Sequence, residues 1–335
     1  MAEGKTRIAV IGVGHLGRHH CRLLGELDCE LVAVADPNED ARKRAADDYG
    51  VETLADYREL EGRVDAVSVV VPTSLHRQVG GFFLERGVDV LVEKPIANNS
   101  AEGQELVDLA RKHDRVLQVG HVERFNPVLK GIAEIGRKAR YIESHRLAPF
   151  SFRSTDIGVV LDLMIHDLDL VLALVQSPIS SVDAFGGAVF TPAEDMASAI
   201  IKFDNGAVAH LTANRVALKP MRKMRVFSPE GYASLDFQDA KGMVVRKQPG
   251  WDFQKLDVEN LDRAQLGDLW NFVFKGLLSL EEYKLDEGNP LKEELAAFLE
   301  CVRDRSEPLV TGEDGVAAVA AAERVIAVIG ENRWQ

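Results

Sequence analysis

The sequence has few cysteines, no long apolar run and no excess of positive charge. Its three cysteines, Cys21, Cys29 and Cys301, lie far from any CxxC spacing, so we expect neither a disulfide framework nor a zinc site. No apolar stretch approaches the ~18 residues of a membrane-spanning helix. The net charge of −13 argues against binding to nucleic acid or to an anionic membrane. Residues 1–7 are charged and lead straight into a strand, so we expect no signal peptide and a cytoplasmic protein.

The chain is long enough for two domains, which we predict at 1–125 and 126–335. In the first half, strands alternate with helices, and the strands are continuous apolar runs typical of a parallel sheet. The predicted strands cover 7–11, 31–35, 64–71, 88–92 and 116–120. The predicted helices run from residue 15 to about 27, then over 40–49, 79–85 and 100–113, with Ser100 as the N-cap of the last.

A glycine-rich turn follows the first strand and leads into the first helix. It consists of Gly12, Val13, Gly14, His15, Leu16 and Gly17. A GxGxxG turn in this context binds the pyrophosphate of a dinucleotide at the helix N-terminus. Asp36 ends the second strand and would accept hydrogen bonds from the adenosine ribose, which favours NAD over NADP.

Two groups of nearby side chains allow other interpretations. Arg42, Lys43 and Arg44 could hold the 2′-phosphate of NADP, but a solvated helix face explains them better. His15 and His19 are four residues apart and could face one metal ion, but no third ligand is spaced to complete a site. We therefore expect no metal site, and we expect His15, His19 and His20 to lie on the helix surface or beside the cofactor.

The second half changes to longer, alternating strands, which we predict over 139–147, 182–189, 198–203, 207–213, 224–227 and 233–237. Asn205-Gly206 is a hairpin signal, and residues 229–231 form a second turn. These features predict a mostly antiparallel sheet, followed by helices over 292–304 and 315–329. Residues 250–287 have poor periodicity, so no element is predicted there. The fold class is thus α/β followed by α+β.

Glu93-Lys94-Pro95 follows the strand over 88–92. Ligands of such parallel sheets sit outside the carboxyl ends of the strands, so Lys94 can face a ligand there. The proline restricts the backbone of the lysine before it.

A second candidate group lies on the apolar helix predicted over 159–175, which should be buried. Asp162, His166 and Asp169 share one stripe of this helix, whereas Asp167 falls on another face. The stripe is either a catalytic acid–imidazole pair or a satisfied core network. The dinucleotide motif and Lys94 in the same chain favour the catalytic interpretation.

In this order, the motifs resemble those of the Gfo/Idh/MocA oxidoreductases, from the glycine turn through Pro72-Thr73 and Glu93-Lys94-Pro95 to Asp162-x-x-x-His166. The resemblance extends to residues 307–315 near the C-terminus. It implies a Rossmann dinucleotide-binding domain followed by an open-faced, mostly antiparallel β-sheet domain with helices. Residues 120–127 and 162–167 look most like the branch that oxidises the 3-hydroxyl of UDP-N-acetylglucosamine for amino-sugar synthesis. The implied substrate is a sugar or nucleotide sugar.

The resemblance also implies roles for individual residues. His166 is the general base, Asp162 orients it, and Lys94 hydrogen-bonds the reacting oxygen. The remaining cofactor contacts are Pro72, Thr73, His76, Glu93 and Lys94. The substrate contacts besides the catalytic residues are Arg124, Asn126 and Arg146, although salt bridging between the domains is an equally good explanation of the two arginines.

Other functions remain open on the same scaffold. A different substrate is one, such as an inositol, another sugar, a dihydrodiol or a biliverdin-type compound. A non-enzymatic ligand sensor is another, and a purely structural subunit a third. The retained lysine, aspartate and histidine argue against the sensor. An open sheet face commonly packs on a second copy, so we expect a homodimer or homotetramer.

Overall fold

The structure is a computed structural model, which describes residues 4–151, 157–248, 278–284 and 288–332. The chain forms two compact units. The first comprises Met1–Phe125, Leu168–Leu170 and Asn289–Arg324, and the second comprises Asn126–Asp167, Val171–Gly288 and Val325–Gln335. The units differ from the predicted domains 1–125 and 126–335 because two later segments return to the first unit.

The first unit is built on a parallel sheet of six strands in the order β3-β2-β1-β4-β5-β6. The strands are β1 Arg7–Ile11, β2 Glu30–Ala35, β3 Glu52–Leu54, β4 Ala66–Val69, β5 Asp89–Glu93 and β6 Leu117–Gly120. Strands β4, β5 and β6 are buried at every residue, as continuous apolar runs predict. The order steps outward from β1 in both directions, so the carboxyl ends of β1 and β4 flank the topological switch point.

Four helices alternate with these strands: α1 His15–Leu24, α2 Glu39–Tyr49, α3 His76–Leu84 and α4 Ser100–Lys112. Asparagine caps begin two of them. The Asn38 side chain accepts the Ala41 N–H at the start of α2, and the Asn99 side chain accepts the Glu102 N–H at the start of α4. The prediction of Ser100 as the N-cap is therefore wrong by one residue. The side-chain oxygen of Asn99 accepts the free Glu102 N–H, so Asn99 is the cap.

A helix from the C-terminal part of the chain completes the core of the first unit. Helix α7, Pro290–Asp304, buries Leu295, Phe298 and Leu299 in the same cluster as Ile8 and Leu24. This apolar stripe follows the 3.6-residue helical period, but its partners Ile8 and Leu24 lie more than 270 residues earlier in the chain. The segment therefore belongs to the first unit, although its position in the sequence suggested the second domain.

The second unit contains a mixed sheet of eight strands in the order β14-β13-β12-β11-β7-β10-β9-β8. The strands are β7 Tyr141–Leu147, β8 Ile179–Gly187, β9 Met196–Phe203, β10 Val208–Asn214, β11 Met221–Ser228, β12 Gly231–Asp236, β13 Lys241–Lys247 and β14 Leu278–Lys284. Only β7 and β10 pair in parallel among these described strands. Gly206, with φ +81°, turns the chain between β9 and β10, so the predicted hairpin is confirmed.

The two faces of this sheet differ in composition. Along β7, Ile142, Ser144 and Arg146 are buried, and the residues between them are partly exposed.

Helical segments of the second unit pack against this sheet. The short helix α5, Ala133–Arg137, contacts β11 and β12, and the π-helical turn Val160–Met164 contacts β10. That turn continues into α6, Ile165–Val175. The last helix, α8, spans Gly312–Glu331.

The predicted fold class, a Rossmann-type α/β domain followed by an antiparallel α+β domain, is confirmed. Strands β3, β13 and β14 were missed. Most of the unassigned stretch 250–287 lies outside the described residues, apart from β14. Within the described ranges, every helix is too short or too polar to cross a bilayer.

Candidate active site

The glycine-rich turn connects β1 to α1 at the switch point of the parallel sheet. Gly12 has φ +89°, and a Cβ at this position would overlap the carbonyl of Val70, the residue directly after β4. A Cβ on Gly17 would overlap the Gly12 carbonyl. Both positions therefore require glycine, because any side chain would push α1 away from the sheet.

The start of α1 is open to a ligand. Gly14 is exposed, and a Cβ built on it meets no atom within 4 Å. No side chain in the described chain caps this helix, which leaves its first N–H groups free for an anion. His15 and Leu16 are exposed beside it. This cradle of free N–H groups fits the pyrophosphate of a dinucleotide.

A cavity of about 680 Å³ adjoins the turn, and its lining includes Gly12, Gly14, Asp36, Arg44, Tyr57 and Pro72. Asp36 is held in place by backbone N–H groups, since its two oxygens accept from Val13 at 2.9 Å and Asn38 at 2.8 Å. A carboxylate oriented in this way at the end of the second strand is suited to the ribose hydroxyls of NAD.

The three basic residues after Asp36 have different environments. The Arg42 guanidinium donates to the backbone carbonyls of Asp36 and Pro37, and Lys43 pairs with Glu39 on the surface. Arg44 is exposed and lines the cavity. Of the three, Arg44 is the side chain positioned to contact a nucleotide.

The segment after β4 was predicted to line the nicotinamide side through Pro72, Thr73 and His76. Pro72 is exposed to the cavity and Thr73 is half-buried. His76 is buried, and its ring nitrogens lie 2.8 Å from the Pro95 carbonyl and 2.9 Å from the Val71 carbonyl. Burial lowers the pKa of His76. His76 thus joins two turns at the carboxyl edge of the sheet rather than presenting its ring to a ligand.

The tripeptide Glu93-Lys94-Pro95 lies at the carboxyl end of β5, as expected. Glu93 is the last residue of the strand and is buried, Lys94 is half-buried, and the Lys94–Pro95 peptide bond is cis. Glu93 Oε2 accepts the backbone N–H of Lys94 at 3.2 Å.

The three histidines of α1 do not share one environment. His15 and His19 are exposed, and their rings make an edge-on contact with centroids 5.2 Å apart. His20 is fully buried, which rules out a helix-surface position, one of the two alternatives expected for these histidines. His20 is spaced three or four residues from Gly17 and Leu24 and lies next to Cys21, on the buried stripe of α1. This helical spacing is the signal in the sequence that could have predicted its burial. Within the described ranges, no group of three potential ligands is placed to hold a metal ion.

Arg124 and Asp169 form a buried ion pair in the first unit. The Arg124 guanidinium lies 2.9 Å from Asp169 and 3.4 Å from Asp314. Asp169 is therefore engaged by an arginine, not by the acid–imidazole stripe to which it was assigned.

Next to this pair, His121 is fully buried, and both of its ring nitrogens lack hydrogen-bond partners among the described residues. Burial lowers the pKa of His121, which keeps the ring neutral.

Glu294 on α7 is a buried carboxyl without a hydrogen-bond partner in the described chain. Burial raises its pKa well above the usual range, and the negative charges of Glu93 and Asp169 raise it further. The native protein therefore holds Glu294 in its neutral form. Sequence periodicity placed it on a helix, but nothing in the sequence marked it as buried next to two other carboxylates.

In the second unit, Asp162 and His166 occupy the junction between the π-helical turn and α6. Both side chains are half-buried. Wider π-helical turns of this kind recur at functional sites.

The other predicted substrate contacts in this unit are engaged in internal contacts. Arg146 is 3% exposed and its Nε lies 2.9 Å from Asp167, which also accepts the Ser144 hydroxyl at 2.9 Å. Asn126 is buried, and its side chain accepts the Val128 N–H at 3.2 Å. Arg146 and Asp167 were predicted separately, and the structure unites them in one buried salt bridge.

The architecture of both units matches a known family. Residues 6–121 match the oxidoreductase family with an NAD-binding Rossmann fold, and residues 138–234 match the GFO/IDH/MocA C-terminal domain. The chain belongs to the Gfo/Idh/MocA oxidoreductase family. The predicted cofactor, NAD, is confirmed for this fold.

Individual relatives are dehydrogenases. The chain is 41% identical over 232 residues to a UDP-N-acetylglucosamine 3-dehydrogenase of Acidithiobacillus ferrooxidans, covering 69% of this chain and 74% of the relative. The solved structure of UDP-N-acetylglucosamine 3-dehydrogenase GnnA from the same organism superposes with a TM-score of 0.85 at 33% identity, covering 97% and 98% of the two chains. A myo-inositol 2-dehydrogenase of Thermotoga maritima is 27% identical over 334 residues, covering 93% of each. The prediction of an oxidoreductase acting on CH–OH groups is thereby confirmed.

Asp36→Ser tests whether this carboxylate selects the cofactor. We expect NAD to bind about tenfold more weakly, since a hydrogen bond to a charged group contributes roughly 1.5–3 kcal/mol. NADP should lose less affinity or gain some, because its 2′-phosphate is no longer repelled and Arg44 lies nearby. Calorimetric titration of both dinucleotides measures this. Asp40→Ser, which removes an exposed aspartate from α2, is the control, and an unchanged NAD-to-NADP ratio in Asp36→Ser would exclude the role.

Glu294→Gln tests the neutral state of the buried carboxyl. The native state binds this proton more tightly than the unfolded chain, so the stability that Glu294 contributes is fully present below a pH of about 4.3, the usual pKa of glutamate, and is lost as pH rises through the raised native pKa. Glutamine avoids that loss. The stability of the variant relative to wild type should therefore improve between pH 5 and pH 8, by roughly 1–3 kcal/mol.

Urea denaturation at the two pH values measures this difference. Glu293→Gln alters the exposed neighbour on the same helix and should leave the pH dependence unchanged. Identical pH dependence for Glu294→Gln and wild type would contradict the assignment.

Proposed function

We propose that the protein is an NAD-dependent dehydrogenase that oxidises the 3-hydroxyl of UDP-N-acetylglucosamine to a keto group. The observation that carries this proposal is the 41% identity to a UDP-N-acetylglucosamine 3-dehydrogenase, against 27% to a myo-inositol 2-dehydrogenase. The TM-score of 0.85 to the GnnA structure supports it across nearly the whole chain.

The first unit binds the dinucleotide in this proposal. The free N–H groups at the start of α1 hold the pyrophosphate, and Asp36 accepts the adenosine ribose hydroxyls. Pro72 and Thr73 contact the nicotinamide half. When bound, NAD supplies a nicotinamide ring that accepts a hydride from the sugar carbon.

His166 acts as the general base that removes the proton of the sugar hydroxyl. Imidazole titrates near neutral pH, so a neutral ring can accept a proton under physiological conditions. Asp162, one helical turn earlier, orients the ring. The half-buried positions of both side chains support this role, since each remains partly accessible to a ligand.

Lys94 donates a hydrogen bond to the reacting oxygen and stabilises the negative charge that develops on it. Its position directly after a parallel strand supports this role, because ligands of such sheets lie at the carboxyl edge. Glu93 holds the Lys94 backbone.

Among the predicted substrate contacts, Arg124 has better support than Arg146. Arg124 retains some exposure while it pairs with Asp169, whereas Arg146 is buried against Asp167. Asn126 is also buried, which leaves its side chain a structural role in the turn that begins at Pro127. We therefore assign Arg124 as the cation that contacts the substrate diphosphate.

A second candidate is oxidation of an inositol. The myo-inositol 2-dehydrogenase relative aligns over 93% of this chain, which makes an inositol the second substrate to test. An inositol lacks a diphosphate, so the contact assigned to Arg124 would have no counterpart in its binding.

Substrate identity is tested with purified protein, NAD and separate nucleotide sugars, with NADH followed by its absorbance. We expect turnover with UDP-N-acetylglucosamine, and at least tenfold lower kcat/KM with UDP-glucose and with myo-inositol. Preferred turnover of myo-inositol would support the second candidate, and no turnover of any alcohol would support a sensor.

Lys94→Ala and His166→Ala test the catalytic residues. Each should lower kcat by about 10²-fold or more, because one charge-stabilising donor or one positioned base contributes on that order. NAD affinity should remain within a few-fold of wild type. Lys112→Ala and His113→Ala, at the end of α4, are the matched controls. Turnover near wild type in either active-site variant contradicts its assignment.

We also infer that the protein works in the cytoplasm as a homodimer or homotetramer. The outward face of the second sheet carries Tyr141, Ile200, Met221 and Phe227, each at least one-third exposed. Light scattering should give two or four times the 36.9 kDa chain mass, and Phe227→Arg should lower it. A monomeric mass for wild type rejects this inference.

A further inference from the structure

His20 connects the helix of the glycine-rich turn to the residue that precedes Lys94. It lies on α1, is fully buried, and makes contacts through both ring nitrogens. Nδ1 is 2.8 Å from the Ser68 hydroxyl on β4, and Nε2 is 3.1 Å from Glu93 Oε1 on β5. One side chain thus links a helix to two neighbouring strands.

The Glu93 carboxylate determines the hydrogen-bond direction at one nitrogen of this ring. Burial alone raises the pKa of Glu93, but the hydrogen bond and charge of His20 and the charge of Lys94 outweigh it, so the pKa of Glu93 is lowered and the carboxylate is ionised. An ionised carboxylate can only accept, so Nε2 carries a hydrogen and donates it to Glu93. Nδ1 lies against the Ser68 hydroxyl, which can either donate or accept in this contact.

The second carboxylate oxygen of Glu93 contacts the backbone of Lys94. Oε2 accepts the Lys94 N–H at 3.2 Å. On β6, a Cβ at Gly120 would stand 3.0 Å from the Glu93 carboxyl group, so a side chain there would have to shift the carboxylate by a few tenths of an ångström. The carboxylate is therefore enclosed by His20 on one side, the Lys94 backbone on another and Gly120 on a third.

Other ionisable side chains lie near this carboxylate. His76, His121 and Glu294 interact with it electrostatically. Of these, His76 and His121 have pKa values lowered by burial and Glu294 has a raised pKa, so all three are neutral. The directed contacts of His20 and Lys94 consequently determine how Glu93 is oriented.

We propose that His20 is a positioning residue: it orients Glu93 and, through Glu93, the catalytic lysine Lys94. The same helix begins at the dinucleotide-binding turn, so this contact couples the placement of the cofactor helix to that of Lys94. The proposal rests on the catalytic role assigned to Lys94 under the proposed function. The alternative is that His20 only satisfies buried polar groups and stabilises the fold.

Two conservative substitutions separate the ring's contacts. In His20→Gln, the side-chain amide nitrogen can occupy the position of Nε2 and still donate to Glu93. In His20→Asn, the shorter amide reaches the position of Nδ1, retains a contact with Ser68 and loses Glu93. The two variants are similar in polarity and size, so a purely structural role predicts comparable effects.

The first measurement is hydrogen exchange at the Lys94 amide, which needs no substrate. We expect His20→Asn to lower its protection at least tenfold and His20→Gln to change it by less than threefold. The Val90 amide on the same strand, which donates to Val116, is the internal control for the fold. Unchanged protection of Lys94 in His20→Asn, or equal loss in both variants, overturns the positioning role whatever the substrate is.

The second measurement is steady-state kinetics with the alcohol that the wild-type enzyme oxidises. We expect kcat of His20→Asn to fall 10- to 100-fold, since misplacement by about 1 Å costs on that order, with KM for NAD within threefold. His20→Gln should restore kcat to within about threefold of wild type. A drop in Lys94 protection without a drop in kcat overturns the link to catalysis.

The third measurement is a double-mutant cycle with Glu93→Gln, which tests whether His20 acts through Glu93. If His20 acts through Glu93, adding His20→Asn to Glu93→Gln causes less than a threefold further loss of kcat. Multiplication of the two losses shows that His20 acts independently and overturns the proposal. Absence of turnover in wild type contradicts the proposed function instead, and the exchange measurement still decides the role of His20.

Discussion

The close approach of α1 to the parallel sheet is the constraint on which the first unit depends. Gly12 and Gly17 permit it, because a side chain at either position would overlap a backbone carbonyl. The approach brings the free N–H groups of α1 to the carboxyl edge of the sheet. It also brings His20 within hydrogen-bonding distance of Glu93. One packing requirement thus serves both the dinucleotide cradle and the lysine that follows Glu93.

Burial in this unit gives its carboxyl groups different protonation states. Glu93 faces His20 and Lys94, and Asp169 faces Arg124, so opposite charges accompany both. Glu294 has two carboxylates as electrostatic neighbours, and its pKa rises. An ionised carboxylate in a low-dielectric interior needs a cation or several donors, and the group without them keeps its proton. Glu93 therefore stays ionised beside Lys94, whereas Glu294 is neutral.

Much of the fold could be predicted because its signals are local. The glycine turn, the apolar runs of β4 and β5 and the Asn205-Gly206 hairpin each depend on a few adjacent residues. The site was predicted in outline for the same reason, since Asp36 and Lys94 directly follow strands. The errors have a different origin. Helix α7 joins the first core, Asp169 pairs with Arg124 and Arg146 pairs with Asp167 through contacts between residues 21 to almost 300 positions apart, and no periodicity reveals such partners.

The sequence by itself determined the class of fold, the dinucleotide-binding turn and the residue types available for alcohol oxidation. Backbone sterics at glycine and proline and the two hydrophobic periods act over short stretches of chain, so they can be recognised without a structure. Tertiary structure alone decided which partner each buried polar side chain has. That decision separates His20 from its exposed neighbours His15 and His19, because a protonation state and a positioning role arise only from the groups that surround a side chain in space.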